Sequence, residues 1–385
     1  MRSVRDIPLF NNIPILVRAA LNEPVAGGVV QDTFRLTRAL PTLRFLQSQG
    51  ARVIAISHID PPTGTKATGA ETLAPVAKRL GQMLPNVSFS PTTVDASARA
   101  AVRKMAPGDI LVLENLRRDP GEVGNDPTFA KALAALADVF VEDSFDTCHR
   151  VHASIVGVPQ LLPSYAGLTL EEEVENLSAA MHPMGPSLAI IGGAKFSTKE
   201  PVLAALLARY EQVFVGGALA NDFLKAKGYS VGASLLSVPP APLAKMHALV
   251  ANPKLLLPLD ARVAKKDERA SQARIAALDD IQPDEMVLDH GPATEALLAS
   301  VAGRAASILW NGPLGNYENG FIQGTDALAI EAAKSGAHSV IGGGDTIAAI
   351  EALDILDKFS FVSTGGGAML DFLASGTLPG IAALG

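Results

Sequence analysis

Cysteine is almost missing from this chain: Cys148 stands alone among 385 residues. One thiol supports neither an internal disulfide framework nor a multi-cysteine metal site, and this fits a reducing compartment. Aromatic residues are scarce at 5%, so packing falls to Ala, Val, Leu and Ile. No apolar run approaches the length of a membrane-spanning helix. The opening residues, MRSVRDIPLF, hold no apolar stretch of signal-peptide length. The expectation is a cytoplasmic protein with no membrane partner. Familiar nucleotide and metal signatures are missing too. No Gly-x-Gly-x-x-Gly opens a helix after the first strand, and neither Gly-x-x-x-x-Gly-Lys-Ser/Thr nor His-Glu-x-x-His occurs. These gaps exclude the dinucleotide fingerprint, the P-loop and the zincin site.

What is present points to two domains. Hydrophobic content of 48% is enough for two cores at this length, and 18% charged residues is too little for disorder. The net charge of −7 argues against general nucleic-acid binding. That charge is unevenly shared. Residues 1–160 hold 17 Lys and Arg against 15 Asp and Glu, whereas the remainder holds 15 against 24. Thirteen of the early cations are Arg, but only five of the later ones. Arg presents a planar fork that suits carboxylate and phosphate. The split is consistent either with compositional drift or with an anion-binding first half.

Short apolar runs alternate with helical patterns. Residues 14–18, 52–57, 109–113 and 139–143 read as buried strands. Residues 35–49, 73–80, 96–105 and 127–137 read as the helices between them. Residues 168–181 carry Glu171, Glu172, Glu173 and Glu175 and end at His182-Pro183-Met184-Gly185-Pro186, so they read as a linker helix and a breaker. A second series follows, with strands at 187–191, 212–215, 255–257, 307–310, 338–341 and 359–362. Its helices lie at 200–210, 221–227, 242–250, 325–334 and 346–356. Strands alternating with helices predict an α/β chain with mostly parallel sheets. The expected domains are 1–168 and 187–375, with 169–186 as the link.

Glycines fall where such sheets bind ligands, at the carboxyl ends of strands. Gly192-Gly193, Gly216-Gly217, Gly342-Gly343-Gly344 and Gly365-Gly366-Gly367 each follow a strand of the second half. Backbone N–H groups can approach phosphate closely there, and a helix N-terminus adds partial positive charge. Four such loops in one half predict a nucleotide site.

Several segments, in order along nearly the whole chain, resemble the phosphoglycerate kinase family. They are Leu16-Val17-Arg18 with Asn22, Asp32 to Arg35, Leu113 to Arg117, Asp143-Ser144-Phe145 and His149 to Ser154. Gly192 to Lys195 with Ser197 and Lys199, and Phe223-Leu224-Lys225, continue the series. Trp310-Asn311-Gly312-Pro313 with Gly315 and Glu318, Gly342 to Thr346, and Ser363 to Gly367 complete it. The resemblance implies two Rossmann-like domains with parallel sheets facing across a cleft and joined by a helix. The first domain would bind the acidic triose and the second ATP or ADP with Mg²⁺. It also implies a monomer whose tail, residues 376–385, packs back on the first domain.

By the same resemblance, Arg35 is the catalytic arginine at the transferring phosphoryl. Asn22, His58, Arg117 and Arg150 hold the acid substrate, with Arg18 and His149 in the same basic patch. Lys195 and Lys199 hold nucleotide and transferring phosphates, and their spacing of four predicts one side of a helix start. Gly291, Asn311, Glu318, Gly343, Gly344, Asp345 and Thr346 serve the nucleotide, Glu318 through its ribose. Asp345 holds the metal or caps the helix that follows. Gly366 and its neighbours donate N–H groups to the phosphoryl in transit.

The chain departs from the family pattern mainly on the acid side. Ala20 stands where a carboxylate is usual, Asp60 where a glycine is, Pro61 where an arginine is, and Asp146 where a small residue is. Arg118 and Lys66 are cations that could compensate. On the nucleotide side Ala218 replaces a glycine. The readings left open are a phosphoglycerate kinase with an altered triose pocket, a kinase for another small carboxylic acid, and a nucleotide-binding homologue without catalysis.

Overall fold

Strands buried on both faces read as continuous apolar runs, and the runs in this sequence pair in that way. The computed structural model describes residues 1–61 and 71–385; Lys66 lies outside them. The described chain divides into two units, Met1–Glu175 with Thr377–Gly385, and Asn176–Gly376.

The first unit is built on a six-stranded sheet. Its spatial order is Val87–Phe89, Ile110–Val112, Arg52–Ile56, Pro14–Ala19, Val139–Asp143 and Ser164–Ala166, with every pairing parallel. Helices Phe34–Ser48 and Ala74–Met83 cover it and share its core through Leu36, Leu43, Leu46, Val76 and Leu80. Pro14–Ala19 lies between Arg52–Ile56 and Val139–Asp143, so the carboxyl ends of all three converge.

The second unit has its own parallel six-stranded sheet. Its order is Leu255–Leu256, Gln212–Val215, Ser187–Ile191, Ser307–Asn311, His338–Gly342 and Phe361–Ser363. Counted along that sheet alone, this is the 3-2-1-4-5-6 order of a doubly wound fold. The order reverses between Ser187–Ile191 and Ser307–Asn311, which places Gly192-Gly193 beside Gly312-Pro313. A Cβ at Gly192 would collide with the carbonyl oxygens of both Gly312 and Pro313.

The larger differences from the sequence expectation have physical causes. Helix Phe196–Arg209 begins four residues earlier than the expected start at Glu200. Pro201 favours a first turn, yet it sits inside this helix, and Lys195 becomes the N-cap. A three-stranded antiparallel sheet, Arg274–Ala277, Asp260–Lys265 and Glu285–His290, was not foreseen. Its strands bury only a small separate cluster around Val231, Val263 and Ile281, so their apolar signal is thin. The link is helix Leu168–Ala180, and the units divide within it, after Glu175. The tail forms a short helix, Pro379–Ala383, and the Gly380 N–H donates to the Cys148 carbonyl at 2.8 Å.

The close approach at the sheet reversal generates a stability prediction. Gly192→Ala should destabilise the second unit by about 1–3 kcal/mol, because the colliding atoms are backbone. A lowered urea midpoint with retained circular dichroism at low urea would show this; an unchanged midpoint would refute it.

Candidate active site

In the first unit, Arg18 is the penultimate residue of the strand Pro14–Ala19 and is only 1% exposed. A buried guanidinium must be saturated by acceptors. Its Nε donates to Ser154 Oγ at 3.2 Å, and its Nη1 donates to the Ala19 carbonyl at 3.1 Å and to Ser57 Oγ at 3.3 Å. Its Nη2 lies 2.9 Å from His58 Nδ1. Arginine can only donate, so His58 Nδ1 accepts and the ring proton sits on Nε2. That Nε2 points toward Asp60 Oδ2 at 3.7 Å.

The histidines register the surrounding charge. Burial first, and then Arg18, Arg117 and Arg150, hold His58 well below the usual histidine range. Burial and the same arginines, Arg117 foremost among them, push His152 down to about 4. Both rings are therefore neutral near pH 7 in a strongly positive field. Buried Glu122 anchors the rear of the cluster: its Oε1 and Oε2 accept from the Ser154 hydroxyl at 2.6 Å and N–H at 3.0 Å.

Donors remain unused here. Arg117 gives Nη1 to Asp60, while its Nε and Nη2 are buried without a partner among the described residues. Arg150 Nε is buried without one as well. Unpaired buried donors are costly, and a bound oxyanion relieves that cost. Asn22 is tied down instead: it donates to Asp146 Oδ2 at 3.0 Å, and Asp146 also accepts from Ser144 Oγ at 2.6 Å. Arg118 turns to Glu114 at 2.7 Å. Arg35 lies in the first turn of Phe34–Ser48, 3.8 Å from Glu23, whose carboxyl burial raises to about 7.

The second unit holds a pocket of about 530 Å³. Its wall brings together Glu318, Asp345, Gly193, Gly217 and Ala218 with the strand Glu285–His290. Glu318 lies in the one-turn segment Tyr317–Asn319, and Asp345 in the first turn of helix Gly344–Glu351. Gly343, not Asp345, is the N-cap of that helix. Its φ of 95° lies in the range glycine favours. A side chain at Gly344, Gly366 or Gly367 would meet open space, and of the three only Gly366, with a φ of 51°, has a backbone that calls for glycine. Gly366 is the N-cap of helix Gly367–Ser375.

Other expected residues play scaffold parts or stand apart. Lys199 is half-buried and donates to Asn311 Oδ1 at 3.0 Å, while Lys195 is exposed at the N-cap with extended backbone. The pair thus occupies two environments, not one helix face. The Thr346 hydroxyl is buried and accepts from the Gly312 N–H at 2.9 Å. Gly291 packs against Asp260, which caps helix Pro292–Ala302 through Ala293 and Thr294. Among the described residues no group of three or more His, Cys, Asp or Glu could hold a metal. A lone exposed carboxylate such as Asp345 fits Mg²⁺ that arrives coordinated by phosphate oxygens and water. Sequence reasoning missed Ser57, Glu122 and Ser154 behind the arginines, and Asp289 and His290 in the pocket wall. A buried polar residue beside an Arg-rich strand end is the signal that could have flagged the first three.

Burial pushes the Lys199 ammonium down to about 8. The unfolded lysine keeps its proton to higher pH, so stability should rise from about pH 8 to pH 10 as the native ammonium deprotonates first. Lys199→Met should abolish that rise in the urea midpoint; its persistence in the variant would rule out Lys199 as the source.

Known proteins resemble this chain along its whole length. The family model described as Phosphoglycerate kinase matches residues 4–376. The chain is 41% identical to a phosphoglycerate kinase of Moorella thermoacetica, covering 99% of this chain and 98% of that one. It is 42% identical to one of Pelotomaculum thermopropionicum, covering 100% and 98%. Phosphoglycerate kinase structures from Coxiella burnetii and Pyrococcus horikoshii superpose with TM-scores of 0.85 and 0.87, at 38% and 29% identity. They cover 99% and 100% of this chain and 98% of each structure. Among the described residues no helix is long and apolar enough to cross a membrane.

Proposed function

Since the chain belongs to the phosphoglycerate kinase family, we propose the following division of labour among its residues. The protein is a phosphotransferase of glycolysis that moves a phosphoryl group reversibly between 1,3-bisphosphoglycerate with ADP and 3-phosphoglycerate with ATP. The first unit holds the acid. Arg117 and Arg150 take its phosphate, neutral His58 donates through Nε2, and Arg35 and Asn22 serve the carboxyl end. The observation that carries this reading is the gathering of Arg18, Arg117 and Arg150 around His58, with Nε and Nη2 of Arg117 and Nε of Arg150 buried and without a partner among the described residues.

The second unit holds the nucleotide, with Glu318 at the ribose and the loops of Gly343-Gly344 and Gly366 at the phosphates. Asp345 is the residue that would hold Mg²⁺, which supplies charge neutralisation to the phosphates when bound. Lys199, desolvated against Asn311, presents a compact cation to the transferring phosphoryl, and Lys195 a second, mobile one. Phosphoryl transfer asks little covalent work of the protein. It needs the acceptor oxygen and the γ-phosphorus in line, with the equatorial oxygens neutralised. The reading includes a cytoplasmic, monomeric enzyme with no nucleic-acid or membrane partner, in keeping with a lone buried thiol and an acidic net charge.

A coupled assay tests it. ATP-dependent phosphorylation of 3-phosphoglycerate should need Mg²⁺ and stop on chelation. Arg35→Met and Lys199→Met should each lower kcat by about 100-fold or more, with the fold retained by circular dichroism. Wild-type protein that binds ATP but phosphorylates no 3-phosphoglycerate would defeat the proposal.

A further inference from the structure

We infer that Asp60 is a specificity-determining residue of the acid pocket: its carboxylate sits on Arg117 as an internal anion, and the distal phosphate of the substrate must displace it. The inference rests on the assignment of Arg117 to that phosphate.

Three observations carry it. First, both oxygens of Asp60 face groups that a phosphate would use. Oδ1 takes Nη1 of Arg117, and Oδ2 lies 3.7 Å from the protonated Nε2 of His58. Second, the occupant is movable while its seat is not. The Asp60 side chain is 53% exposed, against 16% for Arg117 and 2% for His58. Displacement needs one loop side chain to turn outward, with no change in the buried cluster. Third, the occupant fills the seat only partly. A single carboxylate oxygen on Nη1 leaves Nε and Nη2 of Arg117 buried and without a partner among the described residues. A tetrahedral phosphate brings more acceptors and more charge to the same fork.

Among the described residues, the neighbours that the sequence singled out are engaged elsewhere. Arg118, which the sequence offered as a compensating cation, is engaged by Glu114 at 2.7 Å. Asp146 is committed to Asn22 and Ser144. Asp60 is therefore the anion that an incoming phosphate meets on Arg117. A displaced carboxylate costs affinity only to ligands that claim its seat. Asp60 thus weakens phosphorylated acids selectively and leaves binding of the unphosphorylated acid alone.

The test is calorimetric binding and steady-state kinetics on the full chain with 3-phosphoglycerate and with glycerate. Asp60→Asn keeps the volume and removes the charge; Asp60→Gly removes the side chain. Both should lower Kd and KM for 3-phosphoglycerate about tenfold, while Kd for glycerate and KM for ATP hold and kcat changes less than twofold. In an Arg117→Met background the gain should vanish, because the coupling is pairwise. Unchanged or weaker 3-phosphoglycerate binding in both variants overturns the inference. So does an equal gain for glycerate, or a gain that survives in Arg117→Met. Turnover of 3-phosphoglycerate by the wild type, measured alongside, separates a failure of Asp60's role from a failure of the kinase reading.

Discussion

Arg18 lies one residue before the end of the strand Pro14–Ala19 with its guanidinium closed off from water, and that burial constrains everything around it. A charge in such a place persists only when each donor finds an acceptor. Ser57 and His58 supply two from the neighbouring strand end, Ala19 one from the Arg18 strand itself, and Ser154 one from the segment after Val139–Asp143. These contacts lock together the carboxyl ends of the strands that converge at the middle of the sheet. They also fix the tautomer of His58 and so the direction of its proton. Glu122 completes the set by fixing Ser154. The orientation of the pocket's edge, where Arg117 and Asp60 meet, follows from this buried network.

The second unit solves a different problem with different means. Its loops approach one another through backbone, as Gly192 against Gly312 and Pro313 shows. Few side chains intervene, so the pocket wall is carried by Glu318 and Asp345 from short turns and by the antiparallel strand Glu285–His290. One half-buried cation, Lys199, is held on Asn311 with its ammonium partly stripped of water. Burial lowers the proton affinity of such a lysine, because the charged form loses hydration. The first unit thus offers a fixed cluster of arginines, and the second a glycine-lined pocket with few charges. This matches the uneven distribution of Arg along the sequence.

The strands of both sheets were legible because full burial leaves an unmistakable apolar run. Val139–Asp143, Ser187–Ile191 and Gln212–Val215 fall where the sequence puts them. Short strands at sheet edges, such as Val87–Phe89, were not, since three residues carry little pattern. The antiparallel insertion escaped because its apolar positions serve a small satellite core. Among the expected site residues, family resemblance named Arg35, Lys199, Glu318 and Asp345 by their sequence context, and of these Glu318 and Asp345 line the pocket. It could not reveal that Arg118 pairs with Glu114, nor that Asp146 holds Asn22. Those outcomes depend on side-chain direction, which spacing in a loop does not encode. Likewise, Asp60 reads in sequence as an added negative charge. Only its position on Arg117 shows which group that charge occupies.

The most direct measurement of this account is a structure of the protein with 3-phosphoglycerate and Mg²⁺-ADP bound. The account places phosphate oxygens within hydrogen-bonding distance of Arg117 and Arg150, with Asp60 turned off Arg117. It places the nucleotide between Glu318 and Asp345. An acid bound away from these arginines, or a phosphate held elsewhere while Asp60 keeps its place on Arg117, would contradict it.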